Sequence, residues 1–184
     1  MELQGKRVAI LVEDNYKTLE VWYPLLRFRE AEAAVTVVGP RACSYTSAQG
    51  IPIQADASAE QVRAEDFEAI VIPSGTAAET ISEHPSMLAL IHEALRQCKV
   101  VATIVQARGI VGAASGEDSG GAGVHSRGQE EMLKDERRSE SSAVIREDNL
   151  IKARLPVDLP TFCRMIIAAL SAPPTQINAL TPRD

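Results

Sequence analysis

Three kinds of feature are scarce or absent in this 184-residue sequence, and each absence argues against a class of protein. The three cysteines, Cys43, Cys98 and Cys163, are widely spaced and form no C-x-x-C pair, so neither a disulfide framework nor a zinc site is indicated. No apolar run approaches the roughly 20 residues that a membrane-spanning helix needs, and the first residues lack the apolar core of a signal peptide. The sequence therefore predicts a cytoplasmic protein with three structural thiols.

Positive charge is also in deficit, since 19 lysines and arginines face 25 acidic residues, for a net charge of -6. No basic stripe is available to displace counterions from phosphates, so we expect neither nucleic acid nor a membrane surface as a partner. Small neutral or weakly charged ligands remain open as partners. The hydrophobic content of 45% supports a full core, and we assign 1–171 to a single domain and 172–184 to a C-terminal tail.

Short β-branched runs alternate along the chain with stretches whose apolar residues recur at helical spacing. Four runs predict strands, at 7–12, 34–38, 68–73 and 99–104. Helices are predicted from Leu19 and from Pro85, and the segments 142–145 and 150–153 predict a hairpin before a last helix opened by Pro160. This alternation predicts a parallel sheet between two helical layers, with ligands bound beyond the carboxyl ends of the strands. The glycine-rich stretch 114–128 predicts a surface loop.

The order of these segments resembles the ThiJ/PfpI superfamily. The resemblance rests on three stretches: VEDNYKTLEVWYP at 12–24, AIVIPSG at 69–75, and the pair DNLI and PVDLPTFC within 148–163. It implies a three-layer α/β/α sandwich with a flavodoxin-like, mostly parallel sheet of the class I glutamine amidotransferase-like type. It also implies a homodimer.

The same resemblance implies that the family's nucleophilic cysteine is absent from this chain. Family members place a cysteine and a histidine in a strand-to-helix elbow of the form Ala-Ile-Cys-His-Gly-Pro, and that window aligns with TIVQAR at 103–108. Val105 therefore stands where the cysteine is expected, and Gln106 stands where the histidine is expected. Because valine offers no nucleophile and no proton, the family's thiol-dependent chemistry is not expected from this elbow.

Two carboxylates of the family's site are kept, Glu20 and Glu79. A buried carboxyl group without a partner has a raised pKa and suits a general acid or base, so we assign the catalytic role to Glu20. The other residues expected around a ligand have polar side chains, except for one glycine. They are Gln106, Arg108, Ser74, Gly75, Thr76, Asp14, Tyr16, Glu79 and His125. No metal site and no cofactor are expected.

Two functions fit this pattern. In the first, the pocket is rebuilt for a cofactor-independent enzyme that acts on a small metabolite by acid-base chemistry, such as hydration, elimination or isomerisation, without a covalent intermediate. In the second, the protein is an inactive family member that serves as a binding or scaffold subunit, and a stress or chaperone role is a further alternative. The polar residues Gln106, Arg108 and Ser74 favour the first, because a decayed pocket should fill with apolar side chains.

Overall fold

A computed structural model describes residues 2–104 and 144–172 of the chain. The strands in this part are β1 (Arg7–Leu11), β2 (Ala34–Gly39), β3 (Ser44–Thr46), β4 (Pro52–Gln54), β5 (Ala57–Ser58), β6 (Ala69–Ile72), β7 (Val100–Ile104), β8 (Val144–Glu147) and β9 (Leu150–Ala153). The helices are α1 (Thr18–Glu30), α2 (Thr76–Glu83), α3 (Pro85–Arg96) and α4 (Leu159–Ser171), with short 3₁₀ turns at Ala59–Gln61, Ala64–Asp66 and Pro156–Asp158. None of these helices is long and apolar enough to cross a bilayer.

Seven strands form one sheet in the order β5-β2-β1-β6-β7-β9-β8, and β3 and β4 form a separate hairpin. Every pairing in the large sheet is parallel except that of β8 with β9. The predicted parallel sheet is therefore confirmed. The hairpin strand predicted at 142–145 is shifted to 144–147, because the turn is made by Asp148, at φ 51°, and Asn149 alone rather than by four residues.

Two apolar clusters lie on opposite faces of the sheet. Val8 and Ile10 of β1 pack with α1 and α4, whereas Ala9 and Leu11 pack with α2 and α3. Alternate residues of one strand thus serve two cores, which explains why the strand reads as a continuous apolar run. The three-layer α/β/α sandwich is confirmed.

The chain reverses its direction of sheet growth between β1 and β6. From β1 it proceeds to β2 and β5 on one side, and it then returns to form β6 on the other side of β1. In open α/β sheets, ligands bind in the crevice that such a reversal leaves outside the carboxyl ends of the strands. This crevice lies between the segments that follow Leu11 and Ile72.

The β3–β4 hairpin is fixed to the end of β2 by one aromatic side chain. The Tyr45 ring lies so close to Gly39 that a Cβ there would be 2.4 Å from the Tyr45 Cε2 atom. The Tyr45 hydroxyl donates to the Arg41 carbonyl oxygen at 3.0 Å and accepts from the Arg41 N–H at 2.9 Å. Burial raises the pKa of Tyr45 to about 12, so the hydroxyl keeps the proton that it donates.

The substitution Gly39→Ala is expected to lower the free energy of unfolding by about 1–3 kcal/mol, because the new methyl group would overlap the Tyr45 ring. Urea denaturation measures this loss. In a Tyr45→Ala background the same substitution should change stability by less than about 0.5 kcal/mol. Equal losses in the two backgrounds would show that the ring contact is not the cause.

Candidate functional site

A buried carboxylate ties the first turn of α1 to the loop after β6. Glu20 is only 1% exposed, and its Oε2 atom accepts a 2.7 Å hydrogen bond from the Ser74 backbone N–H. Its Oε1 atom accepts a 2.9 Å bond from the Ser74 hydroxyl. Both carboxylate oxygens are thus bonded to one residue, which sits just beyond the carboxyl end of β6 at the edge of the crevice.

Lys17 completes this arrangement from the solvent side. Its Nζ atom donates to Ser74 Oγ at 3.0 Å and lies 3.5 Å from Glu20 Oε1. The Lys17 side chain is 43% exposed, whereas Ser74 and Glu20 are buried. A ligand that approaches from solvent would meet the ammonium group first.

Gly75 makes room for the lysine stem. Its φ of 82° is a backbone conformation that favours glycine, and a Cβ at this position would be 3.3 Å from Lys17 Cε. Gly75 also precedes the first turn of α2, so this residue sets both the direction of the loop and the path of the Lys17 side chain.

The three side chains form one hydrogen-bonded chain, which we call the Lys17–Ser74–Glu20 cluster. The Ser74 hydroxyl has a single proton, which it donates to Glu20, and its oxygen accepts from the Lys17 ammonium group. Protons have a continuous path from a half-exposed amine to a buried carboxylate. The sequence predicts Glu20 to be a buried carboxyl group without a partner. The structure corrects this expectation, because both oxygens of Glu20 are hydrogen-bonded and Lys17 lies beside it.

Sequence reasoning did not select Lys17. The available signal is its spacing, because a lysine three residues before Glu20 at the start of a helix places both side chains on one face. Lys17 lies within the stretch at 12–24 that carries the resemblance, but the resemblance implies a role only for Glu20.

A second polar contact lies on the other side of β1. Glu13 follows β1 and is 8% exposed; its Oε1 atom accepts from the Asp14 N–H at 2.8 Å, and its Oε2 atom is 3.1 Å from His84 Nε2. His84 stands between α2 and α3, so this pair joins the helical corner to the end of β1. Asp14 Oδ1 accepts from the Thr46 N–H at 2.8 Å. In the described residues, no group of three or more side chains is placed to hold a metal ion.

The remaining sequence candidates are dispersed. Tyr16 is fully buried, and its hydroxyl donates to the Ile51 carbonyl oxygen at 2.7 Å and accepts from Trp22 Nε1 at 3.3 Å. Burial raises the pKa of Tyr16, which keeps this hydroxyl neutral. Thr76 and Glu79 are exposed in the first turn of α2. Four candidates lie outside the described residues: Val105, Gln106, Arg108 and His125.

The cysteines occupy three different environments. Cys163 is buried in α4, and burial raises the pKa of its thiol to about 12. Cys43 and Cys98 are exposed, and Cys98 precedes β7, at the opposite edge of the sheet from the Lys17–Ser74–Glu20 cluster.

Comparison with known proteins gives consistent matches along most of the chain. The model of the DJ-1/PfpI family matches residues 6–169. An uncharacterized protein of Archaeoglobus fulgidus is 27% identical over 89% of this chain and 98% of that protein. A Pyrococcus abyssi protein named a deglycase is 26% identical over 89% of this chain and 99% of its own length.

Solved structures agree with these sequence matches. A two-domain protein of Anabaena variabilis, which contains DJ-1/ThiJ/PfpI-like and ferritin-like domains, superposes with a TM-score of 0.73 at 26% identity. The similarity covers 90% of this chain and 50% of the Anabaena chain.

Glu20→Gln is expected to lower the free energy of unfolding by about 1–3 kcal/mol, because an amide cannot accept both Ser74 hydrogen bonds and loses the Lys17 ion pair. Chemical denaturation measures the loss. The control is Glu79→Gln, which also removes a carboxylate from a first helical turn but at an exposed position, and should change stability by less than about 0.5 kcal/mol. A Glu20→Gln protein more stable than the parent would show that this charge is an unneeded buried one.

Thiol accessibility should follow burial. In the native protein, iodoacetamide is expected to alkylate Cys43 and Cys98, while Cys163 reacts only after unfolding, because its thiol is buried and stays protonated. Peptide mass mapping of native and urea-treated samples measures this order. Alkylation of Cys163 at the native rate of Cys43 would mean that α4 opens readily.

Proposed function

Because this chain belongs to the DJ-1/PfpI family and carries the Lys17–Ser74–Glu20 cluster beside the crevice, we propose that it is a cofactor-independent enzyme of acid-base chemistry. Its substrate is a small carbonyl or carboxylate metabolite, and the reaction is a hydration, elimination or isomerisation. One observation carries the proposal: a half-exposed ammonium group is joined through a buried hydroxyl to a buried carboxylate.

The cluster can hold its protons in two ways. In the first, Lys17 is an ammonium ion and Glu20 is a carboxylate. In the second, a proton has moved from Lys17 to Ser74 Oγ while the Ser74 proton has moved to Glu20, which leaves a neutral amine facing solvent. The ammonium form donates to a substrate oxygen and stabilises developing negative charge, and the amine form removes a substrate proton.

In this scheme Glu20 acts through Ser74, because both are buried and Lys17 is the group that a substrate reaches. The role of Glu20 is to accept and return the proton that Lys17 uses. Ser74 and Glu20 are both buried, so the proton path between them is shielded from water and the exchange stays within the cluster.

The proposal does not use a thiol. Relatives of this chain include proteins named deglycases. In the present chain the residue that follows β7 is Val105, which offers no nucleophile. We therefore assign the chemistry to the cluster rather than to the end of β7.

A binding or scaffold subunit is the second candidate. The observation that favours it is the complete hydrogen bonding of Glu20, since both oxygens already have donors, as a purely structural carboxylate requires. The two functions differ in whether the proton of the cluster is ever transferred to a ligand.

Deuterium exchange at carbon tests proton transfer directly. Purified protein is incubated in D₂O with glycolaldehyde, dihydroxyacetone or pyruvate, and proton NMR follows loss of the signals next to the carbonyl group. We expect at least one compound to exchange faster than in buffer, and Lys17→Met to slow that exchange by about 10²–10⁴-fold.

The control is Lys6→Met, which removes a lysine that precedes β1, at the opposite edge of the sheet from the cluster. It should leave exchange unchanged. If none of the compounds exchanges above the buffer rate, and none stabilises the protein in thermal unfolding, the binding-subunit function is favoured over catalysis on this class of substrate.

A further inference from the structure

We propose that Lys17 forms an imine with the carbonyl carbon of a small aldehyde or ketone, so that the substrate is held covalently during the reaction. This inference rests on the proposed function and adds a covalent step to it. It departs from the reaction without a covalent intermediate that the sequence suggests, because Lys17 enters only through the geometry of the cluster.

The surroundings of Lys17 are those that imine formation requires. The reaction needs an amine open to the substrate, a nearby group that takes and returns protons, and a negative charge to balance the iminium ion. Lys17 is 43% exposed, Ser74 Oγ is 3.0 Å from Nζ, and the buried carboxylate of Glu20 is 3.5 Å away.

The position of the amine is also constrained. The Lys17 stem lies against Gly75, where a Cβ would be 3.3 Å from Cε, and the amine is bonded to a side chain that is 1% exposed. The side chain of Lys152 is 22% exposed and its Nζ atom also pairs with a carboxylate, but that partner, Glu147, is 61% exposed. Within the described part of the chain, Lys152 thus differs from Lys17 in having no buried group to pass its protons to. Holding the reacting amine in place reduces the entropy lost on reaction.

The covalent step balances within the cluster. The neutral amine of Lys17 attacks the carbonyl carbon, forming a C–N bond, while the carbonyl π electrons move to oxygen. Oxygen takes a proton that Glu20 returns through Ser74, and the attacking nitrogen, now positively charged, gives one of its protons back to Glu20 by the same path. Glu20 then passes this proton to the carbinolamine hydroxyl group, which leaves as water while the nitrogen lone pair forms the C=N bond. The products are a protonated imine at Lys17, the Glu20 carboxylate and one water molecule, and nothing is oxidised or reduced.

The imine makes a substrate proton easier to remove. In the protonated iminium form the positive charge withdraws electrons from the adjacent carbon, which makes its C–H bond more acidic than in the free carbonyl compound. The Glu20 carboxylate balances that charge, because its Oε1 atom lies 3.5 Å from the Lys17 nitrogen. The substrate class is thereby narrowed to aldehydes and ketones that carry a hydrogen on the carbon next to the carbonyl.

Reductive trapping tests the imine. The full chain is incubated with glycolaldehyde and sodium cyanoborohydride, digested, and mapped by mass spectrometry for alkylated lysines. We expect Lys17 to be labelled about 10²-fold faster than Lys152, since protons are transferred within the cluster. Glu20→Gln should reduce labelling of Lys17 to the rate of Lys152 without changing Lys152 itself, and concentrated urea should abolish the preference in the parent protein.

Exchange and trapping together separate the imine from the acid-base function, because Lys17→Met removes the amine that both need, whereas cyanoborohydride labels Lys17 only if the C=N bond forms. We expect the parent protein both to exchange the carbon-bound hydrogens of glycolaldehyde and to be labelled at Lys17. Lys17 labelled no faster than Lys152 would overturn the imine, and exchange by the parent protein that Lys17→Met slows would then leave the acid-base function standing without it. Preferential labelling of Lys17 with no exchange of any compound would support the imine and contradict the proposed turnover.

Discussion

The hydrogen bonds between the Glu20 carboxylate and Ser74 are the interaction on which the site depends. They join a residue of α1 to the loop that leads into α2, and these two helices cover opposite faces of the sheet. A buried carboxylate is tolerated only when its oxygens are bonded and its charge is balanced. Ser74 supplies the bonds and Lys17 supplies the charge, so the same contacts that make the buried group acceptable also create the proton path.

The helix α2 is anchored at both ends by polar contacts to the region around β1. At its start, Ser74 is bonded to Glu20, and at its end, His84 pairs with Glu13. Between these anchors the helix buries Ala77, Ala78 and Ile81. The crevice is thus bordered by one polar contact on each face of the sheet, the Lys17–Ser74–Glu20 cluster on one and the Glu13–His84 contact on the other. The loop that carries Ser74 is held without long side chains of its own.

The fold could be predicted from the sequence because its signals are local and repeated. The β-branched run at Val8 and Ile10, and the proline that opens α3, each determine an element without reference to distant residues. The cluster could be predicted only in part. Glu20 and Ser74 follow from family position. The bond between Lys17 and Ser74, however, joins residues 57 positions apart, and they meet only because β1, which precedes α1, pairs with β6, which precedes Ser74. The pairing of His84 with Glu13 is hidden for the same reason, since neither residue has a sequence neighbour that indicates the other.

The contact between Gly75 and Lys17 limits how this site can change during evolution. A side chain at position 75 would meet the lysine stem and would also have to adopt a left-handed backbone, so a substitution there displaces the amine even if the helix survives. The two positions are therefore physically coupled: a Cβ at 75 obliges the Lys17 stem to shift by a few tenths of an ångström, and a shorter residue at 17 relieves this one of the two restrictions on 75. Among diverged copies of this gene, those that keep Lys17 should keep glycine at 75, whereas loss of Lys17 removes the steric part of that restriction.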